Sequence, residues 1–547
     1  MSINTSRASK DAILISENHH EKGLDYVNIS KSSDDSELSL HQDNNIKIIS
    51  AKDADVTVSF MNKYDHITPE ISPEEEKSLS RKLVLIVVPL CALVNFVLYA
   101  DKGTASYTSI FGMWKDTNMN QNRYNNSTTL FYVGYIVGQV NLILVQKFPI
   151  GYLLSILCFV WSLLIFMHTV ATNYQTIYAL RFLLGFVESI AVPILNITMG
   201  QFLNAKEKSW TASLFYITCL GNDIVLGFIA YGLLHVKATI RIWKLFMIVI
   251  GSISILTTIF VILIYPNNPT TAKFLSVKER VWVIRRVQKT TGSSIEQKVI
   301  KKHQAIEAIR DPVSWLFCAF FFCNQLSNNL VYQEKLLFKE IGVSTLGSTL
   351  VSVAYGGFAV ICAVIAAFII KLRNDFTAYS VIFWTIFPFI GSIAMITLPW
   401  DKTYALLAMI ILCSTKGVTW ILMFSWTSTT VSGYTKKVTR NAMIMIAYGI
   451  ANIISPQLWQ ARNKPRYYPA WIVQLVFSFI LGPIIAFSIR YVLAKRNNER
   501  LLLTTSSDEL DYGYIKNEDE ESATVHKQNI AALDLTDFEN RRFIYPL

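Results

Sequence analysis

A few ionisable side chains interrupt long apolar runs in this sequence, and they are where its chemistry must lie. Arg181 and Glu188 stand seven residues apart in one run. Seven residues are nearly two helical turns, so both face the same side, with Gly185 between them where a neighbouring helix or a ligand can approach the backbone. They read as a cation for a substrate carboxylate beside a proton-carrying acid, or as a structural charge network. Lys416 lies halfway along another run. It either contacts an anionic substrate or a gate, or it forms a fixed ion pair. Asp223 sits midway along a third run, as a proton carrier or as the partner of a Lys or Arg. Asp101 and Lys102 lie near the end of the first run. Asp101 there faces an interior cavity or anchors the helix end, and Lys102 can snorkel to the interface. The amides Asn324/Asn328 and Gln325/Asn329 recur at i, i+4 and make a polar stripe. Asn441, Tyr448 and Asn452 repeat the idea on one face of a later run. Amides donate and accept, so such stripes suit a zwitterion or bond helices to one another. Placing a charge at mid-membrane costs about 2.5–3.5 kcal/mol on insertion scales, so each of these residues needs a reason.

The elements that must hold them are membrane spans. The chain has 547 residues, 52% hydrophobic and 16% charged. That is well below the ~25% charge of an ordinary soluble domain. Apolar runs of bilayer-spanning length are expected at about Leu83–Tyr107, Thr129–Val145, Gly151–Ala171, Tyr174–Phe202, Trp210–His235, Ile242–Tyr265, Val313–Tyr332, Thr349–Ile370, Ala378–Leu398, Tyr404–Thr427, Ala442–Trp459 and Pro469–Leu493. Trp420, Trp426, Trp459 and Trp471 are expected in the interfacial belt or facing lipid. The net charge of +11 falls in short clusters between runs, which is the positive-inside pattern and not a nucleic-acid surface. Residues 266–312 carry the largest cluster and are expected in the cytosol, with both termini on the same side.

Residues 1–80 are polar and expected to be a disordered cytosolic tail, with Ser30–Ser36 as a phosphorylation region or a plain solvated linker. No cleavable signal is recognisable, and the first run is expected to act as signal and anchor. The seven cysteines all fall inside apolar runs, which argues against a disulfide framework or a zinc site. Asn125 and Asn126 begin glycosylation triplets but abut the second span, so modification there is not expected.

Six spans, a long basic loop and six more is the layout of a two-bundle transporter. A channel, a membrane enzyme and a transport-inactive nutrient receptor are the rivals. No HExxH, GxSxG or Walker loop is present, so the expectation is a non-enzyme without metal or cofactor.

Several motifs resemble the fungal allantoate permease family, or anion:cation symporters, of the major facilitator superfamily. These are Arg181–Gly185 with Glu188 and Pro193, Pro266–Pro269 with Phe274–Leu275 and Glu279–Arg280, Ser432–Lys437 with Tyr448, Asn452 and Pro456–Gln457, and Asp534–Asn540. Ala54–Thr57 and Leu98–Lys102 are similar to the yeast cysteine transporter branch. The resemblance covers roughly residues 55–547. The superfamily motif between spans two and three is altered: its first Gly and its acid are missing, while Lys147 and Gly151 remain. By resemblance these two belong to the gate.

The resemblance implies an all-α major facilitator fold of 12 transmembrane helices in two six-helix bundles, residues 81–265 and 313–494, with a cytosolic tail at 495–547. It implies a monomeric secondary transporter importing a small organic anion or zwitterion with protons, by alternating access. Cysteine or a related sulfur compound is the expected substrate, with allantoate, nicotinate, pantothenate or a related vitamin as alternatives. On this reading Arg181, Lys416, Asn324, Asn328, Tyr448 and Asn452 bind substrate, and Glu188, Asp223 and Asp101 handle protons. The plasma membrane is the expected location, with the endoplasmic reticulum left open.

Overall fold

The computed structural model describes residues 57–291, 300–504, 534–540 and 543–547, together with five short strands in the terminal segments. Ser30–Ser36 lies outside the described residues. Among the described residues, ten helices are long and apolar enough to cross a membrane. They are spans 1–6 (Pro73–Ile110, Gln121–Val145, Ile150–Val170, Tyr174–Phe202, Ile217–Leu234 and Ile242–Ile264), spans 8–10 (Thr345–Leu372, Thr377–Thr397 and Thr403–Thr429) and span 12 (Tyr468–Leu502).

The two other expected spans are present but less apolar. Span 11 is the helix Tyr434–Ile454, whose first two turns carry Lys436, Lys437 and Arg440. Span 7, expected as one helix over Val313–Tyr332, is two: Pro312–Gln325 and Leu330–Glu340. Ser and Asn side chains compete with the helical ladder for backbone groups, and residues 326–329 are Leu-Ser-Asn-Asn. Ser327 Oγ bonds the Asn324 carbonyl at 2.7 Å, and Ser455, at the end of span 11, donates to the Leu326 carbonyl at 2.7 Å. Backbone freed at membrane depth is tolerated where neighbouring helices or a cavity take it up.

Span 1 starts at Pro73, earlier than expected, because Ser72 and Glu75 form a capping box ahead of the apolar run. Spans 2 and 4 touch backbone to backbone: a Cβ on Gly185 would lie 1.9 Å from the Phe131 carbonyl oxygen, and one on Gly134 would lie 2.1 Å from that of Phe182. Gly185 therefore admits a helix, not a ligand. Trp420, Trp426, Trp459 and Trp471 are all buried, correcting their expected place in the interfacial belt or facing lipid: they fill contacts between helices that hydropathy alone does not reveal. All seven cysteines are free thiols, six of them buried.

One face carries the start of span 1, the described C-terminal residues and the central loop. The loop holds two amphipathic helices. Val277–Thr291 buries Val281, Ile284 and Val287 and joins the first bundle through Arg286–Glu207 at 2.8 Å and Lys82–Glu279 at 2.7 Å. Lys302–Arg310 joins the second through Glu307–Lys436 at 2.6 Å. The C-terminal segment docks beside it. Asp537 meets Lys436 at 2.6 Å and accepts from Tyr545 Oη at 2.7 Å, while Asp534 accepts from the Tyr434 amide at 2.8 Å. The terminal segments also contribute a five-stranded sheet, in the order Ser16–Glu17, Tyr26–Asn28, Thr524–Asn529, Tyr512–Lys516, Ile48–Ser50. Segments such as Tyr512–Lys516 are rich in strand-favouring residues.

Candidate functional site

A cavity of about 100 Å³ lies between the bundles, lined from spans 1, 5, 7, 8, 10 and 11. Of the residues expected to act on a solute, Lys416, Asp223, Asn324, Asn328 and Tyr448 line it. Asn324 donates to Thr419 Oγ1 at 3.0 Å, and Asn328 reaches Tyr132 Oη at 3.2 Å and Asn452 Oδ1 at 2.7 Å. Asn452 thus stands behind Asn328. The expected i, i+4 regularity of the stripe is lost at the helix break, which instead turns Asn324, Gln325, Ser327 and Asn328 to the cavity.

Lys416 has no acid beside it. Its ammonium donates to the carbonyl of Ser327, at the break in span 7. Among the described residues no carboxylate lies within 4.0 Å of it. It is buried and faces the cavity, and the main-chain carbonyl is the hydrogen-bond partner that holds it there.

Arg181 and Glu188 do share a helix side, but each pairs with span 1. Arg181 Nη1 lies 3.6 Å from Asp101 Oδ2, and Lys102 bonds Glu188. Two adjacent residues of one helix are thus matched to two residues seven apart on the next. All four are buried, and of the four only Lys102 lines the cavity, 4.6 Å above the Tyr99 ring. The set is electrically neutral and lies wholly within the first bundle.

A second charged cluster contains residues that sequence reasoning missed. Lys335 Nζ lies 3.3 Å from Asp223 Oδ1, bonds its neighbour Glu334, and sits 4.2 Å from the Tyr107 ring centroid. The expected end of span 7 at Tyr332 had placed Glu334 and Lys335 outside the membrane. A helical register from Leu330 to Glu340, beyond the break, was the signal available. The cavity walls also include Tyr99, Tyr332, Tyr355 and Trp420.

Away from the terminal face, hydrogen bonds close the bundles together. Ser106 and Tyr124 donate to the Tyr332 carbonyl at 3.1 and 3.0 Å, Gln121 to Gln333 at 3.0 Å, and Asn125 to the Trp459 carbonyl at 2.9 Å. Asn125 is buried in this band, where no glycan fits. Lys147 is exposed at a helix end near the terminal face, and the Gly151 amide donates to Asn267 Oδ1 at 2.9 Å, both within the first bundle. Among the described residues, no group of three or more His, Cys, Asp or Glu is placed to hold a metal ion.

The family model described as Major Facilitator Superfamily matches residues 91–456. The high affinity cysteine transporter of Saccharomyces cerevisiae is 47% identical over 512 residues, covering 91% of this chain and 96% of that protein. An uncharacterised transporter of Schizosaccharomyces pombe is 43% identical, covering 90% and 88%, and the allantoate permease of S. cerevisiae is 28% identical, covering 87% and 88%. Among solved structures, the partially occluded inward open xylose transporter XylE from E. coli matches with a TM-score of 0.55 at 12% identity, covering 76% of this chain and 98% of that one. That likeness carries the fold, and with it the expected twelve-helix architecture holds.

Proposed function

The chain belongs to the Major Facilitator Superfamily, in a fungal branch with the yeast cysteine transporter and allantoate permease, and as a member, a multi-pass membrane transporter and not an enzyme, we propose that it imports cysteine together with protons. The observation that carries this reading is Lys416, a buried amine that lines the cavity with no carboxylate within ion-pair distance. The substrate carboxylate completes its charge. Asn324 and Asn328 offer amide oxygens and N–H groups to the rest of the zwitterion, and Tyr448 borders the same space. Trp420 and Tyr99 form an apolar wall for the thiol-bearing carbon. Cysteine is preferred over other carboxylates because the relative at 47% identity is a cysteine transporter.

The carboxylates available to a proton are Asp101, Glu188 and Asp223, each within an ion pair. Arg181 supports the first of these and contacts substrate only if Asp101 is protonated and releases it. The two six-helix bundles, residues 81–265 and 313–494, rock about the cavity, with Lys147 and Gly151 on the gate at the terminal face. That face is cytosolic, as its Lys and Arg excess argues, and the carrier works as a monomer in the plasma membrane. Uptake of labelled cysteine, allantoate, nicotinate and pantothenate into yeast lacking cysteine uptake, at one acidic and one neutral external pH, tests the reading. Cysteine entry that rises with acidity supports it. Entry of another member of the panel in its place overturns the substrate.

A further inference from the structure

Asn222 of span 5 is buried on the cavity wall, and half of its amide is already committed. Its Nδ2 donates to the Phe96 carbonyl of span 1 at 3.1 Å. A carbonyl can only accept, so this bond fixes which end of the amide is nitrogen and which is oxygen. Among the described residues, Asn222 Oδ1 has no hydrogen-bond partner. Neighbouring groups on the wall differ in this. Asn324 Oδ1 accepts from Gln325 at 3.1 Å, and Asn328 gives its N–H groups to Tyr132 and Asn452. Asp223, the next residue in the chain, has Lys335 at 3.3 Å. A buried acceptor left unmatched is unfavourable, and a native fold that keeps one calls for an explanation.

Span 10 offers a second such group. Its helix tightens into a 3-10 turn at Cys413–Thr415. Ser414, within that turn, is buried and lines the same cavity, and its Oγ has no hydrogen-bond partner among the described residues. Lys416 follows two residues later. Spans 5 and 10 lie close here, since a Cβ on Gly417 would overlap Leu220. An unmatched acceptor on the first bundle thus shares one cavity with a hydroxyl and an amine on the second.

We propose that Asn222 Oδ1 accepts from the substrate's α-ammonium while Ser414 Oγ donates to its carboxylate beside Lys416, so that an α-amino acid lies with its nitrogen toward span 5 and its carboxylate toward span 10. An ammonium brings three N–H donors and satisfies the stranded oxygen; a carboxylate brings only acceptors and cannot. A site built to bond a donor rejects analogues that lack it, because its own buried group is then left unpaired. Asn222 is therefore a specificity-determining residue: it separates α-amino acids from carboxylates without an amine. The bound zwitterion also ties one bundle to the other. This assignment rests on the reading of the chain as a cysteine carrier.

The test is binding to purified full-length protein, read as thermal stabilisation against ligand concentration. The ligands are L-cysteine and 3-mercaptopropionate, which is cysteine without its amine. In the parent, cysteine should bind roughly 10- to 150-fold more tightly, the range of a hydrogen bond to a charged group. Asn222→Leu should weaken cysteine by a similar factor and leave 3-mercaptopropionate unchanged. Ser414→Ala should weaken both ligands equally, because both carry the carboxylate. Equal weakening of both in Asn222→Leu, weakening of neither, or a parent that binds the two alike overturns the proposal and leaves cysteine import standing. A loss confined to cysteine in Ser414→Ala overturns it as well. Should Asn222→Leu not yield folded protein, Asn222→Gln keeps the amide and shifts its oxygen by one methylene. It must show the same selective loss, and an unselective one overturns the proposal equally. Cysteine that binds with this selectivity yet does not enter cells would remove the import reading while leaving the acceptor assigned.

Discussion

The ammonium of Lys416 in span 10 is held by the carbonyl of Ser327, at the point where span 7 stops being helical. A broken helix supplies the carbonyl, and the carbonyl holds the amine at the cavity wall with no carboxylate within ion-pair distance. The site therefore retains an appetite for an anion, which is the property a carboxylate carrier needs at mid-membrane.

Lys416→Met should weaken substrate binding more than it weakens the fold, because the partner it abandons is a neutral carbonyl. Hydrogen bonds to charged groups contribute about 1.5–3 kcal/mol, so the apparent affinity should fall roughly 10- to 150-fold. Lys416→Arg should fall between the two. Concentration-dependent uptake at matched protein levels measures this, and an unchanged KM in Lys416→Met would remove Lys416 from the site.

Glu188→Gln strands Lys102, and breaking a buried pair from one side costs about 3–5 kcal/mol. A large loss of thermal stability is expected in purified protein. Most of it should return in the double variant Glu188→Gln with Lys102→Met, because a neutral pair has no orphaned charge. Proton-driven accumulation surviving in the double variant would mark this pair as scaffold. Its loss alongside intact exchange would make Glu188 a coupling residue.

Gly185→Ala places a methyl group 1.9 Å from the Phe131 carbonyl oxygen. Backbone cannot yield as a side chain does, so spans 2 and 4 must separate along their whole contact. The expected outcome is loss of a monodisperse peak in gel filtration. Gly232→Ala, where a Cβ meets nothing within 4 Å, should behave as the parent does.

Docking of the C-terminal segment should depend on pH. Burial pushes the Asp537 carboxyl up, but Lys436 and Arg440 outweigh it and hold the group below the ordinary carboxylate range. A group lowered on folding contributes stability above its unfolded value and loses it as pH falls through the folded one. Hydrogen exchange at residues 534–540 should therefore be slow at neutral pH and speed up in acid. Asp537→Asn should show the fast exchange already at neutral pH.

Much of this architecture was legible in the residues. Hydropathy located ten spans outright, and the run of basic residues after the sixth marked the central loop. The shared side of Arg181 and Glu188 followed from seven-residue spacing, but their partners did not. Which residues of span 1 meet them depends on how two helices pack, and spacing within one helix is silent on that. Glu334 and Lys335 were lost because a charged pair ending an apolar run looks like the start of a loop. Their burial becomes visible only when Asp223 arrives from the other bundle. The four tryptophans were misplaced for a related reason: an indole suits an interface and a helix contact equally well, and only packing chooses.

Purified chain in sealed vesicles, given an inward proton gradient with the membrane potential clamped, tests the central claim most directly. The account predicts that labelled cysteine rises inside above its external concentration and that a protonophore abolishes the excess. Cysteine that only equilibrates, or an excess that survives the protonophore, would contradict it.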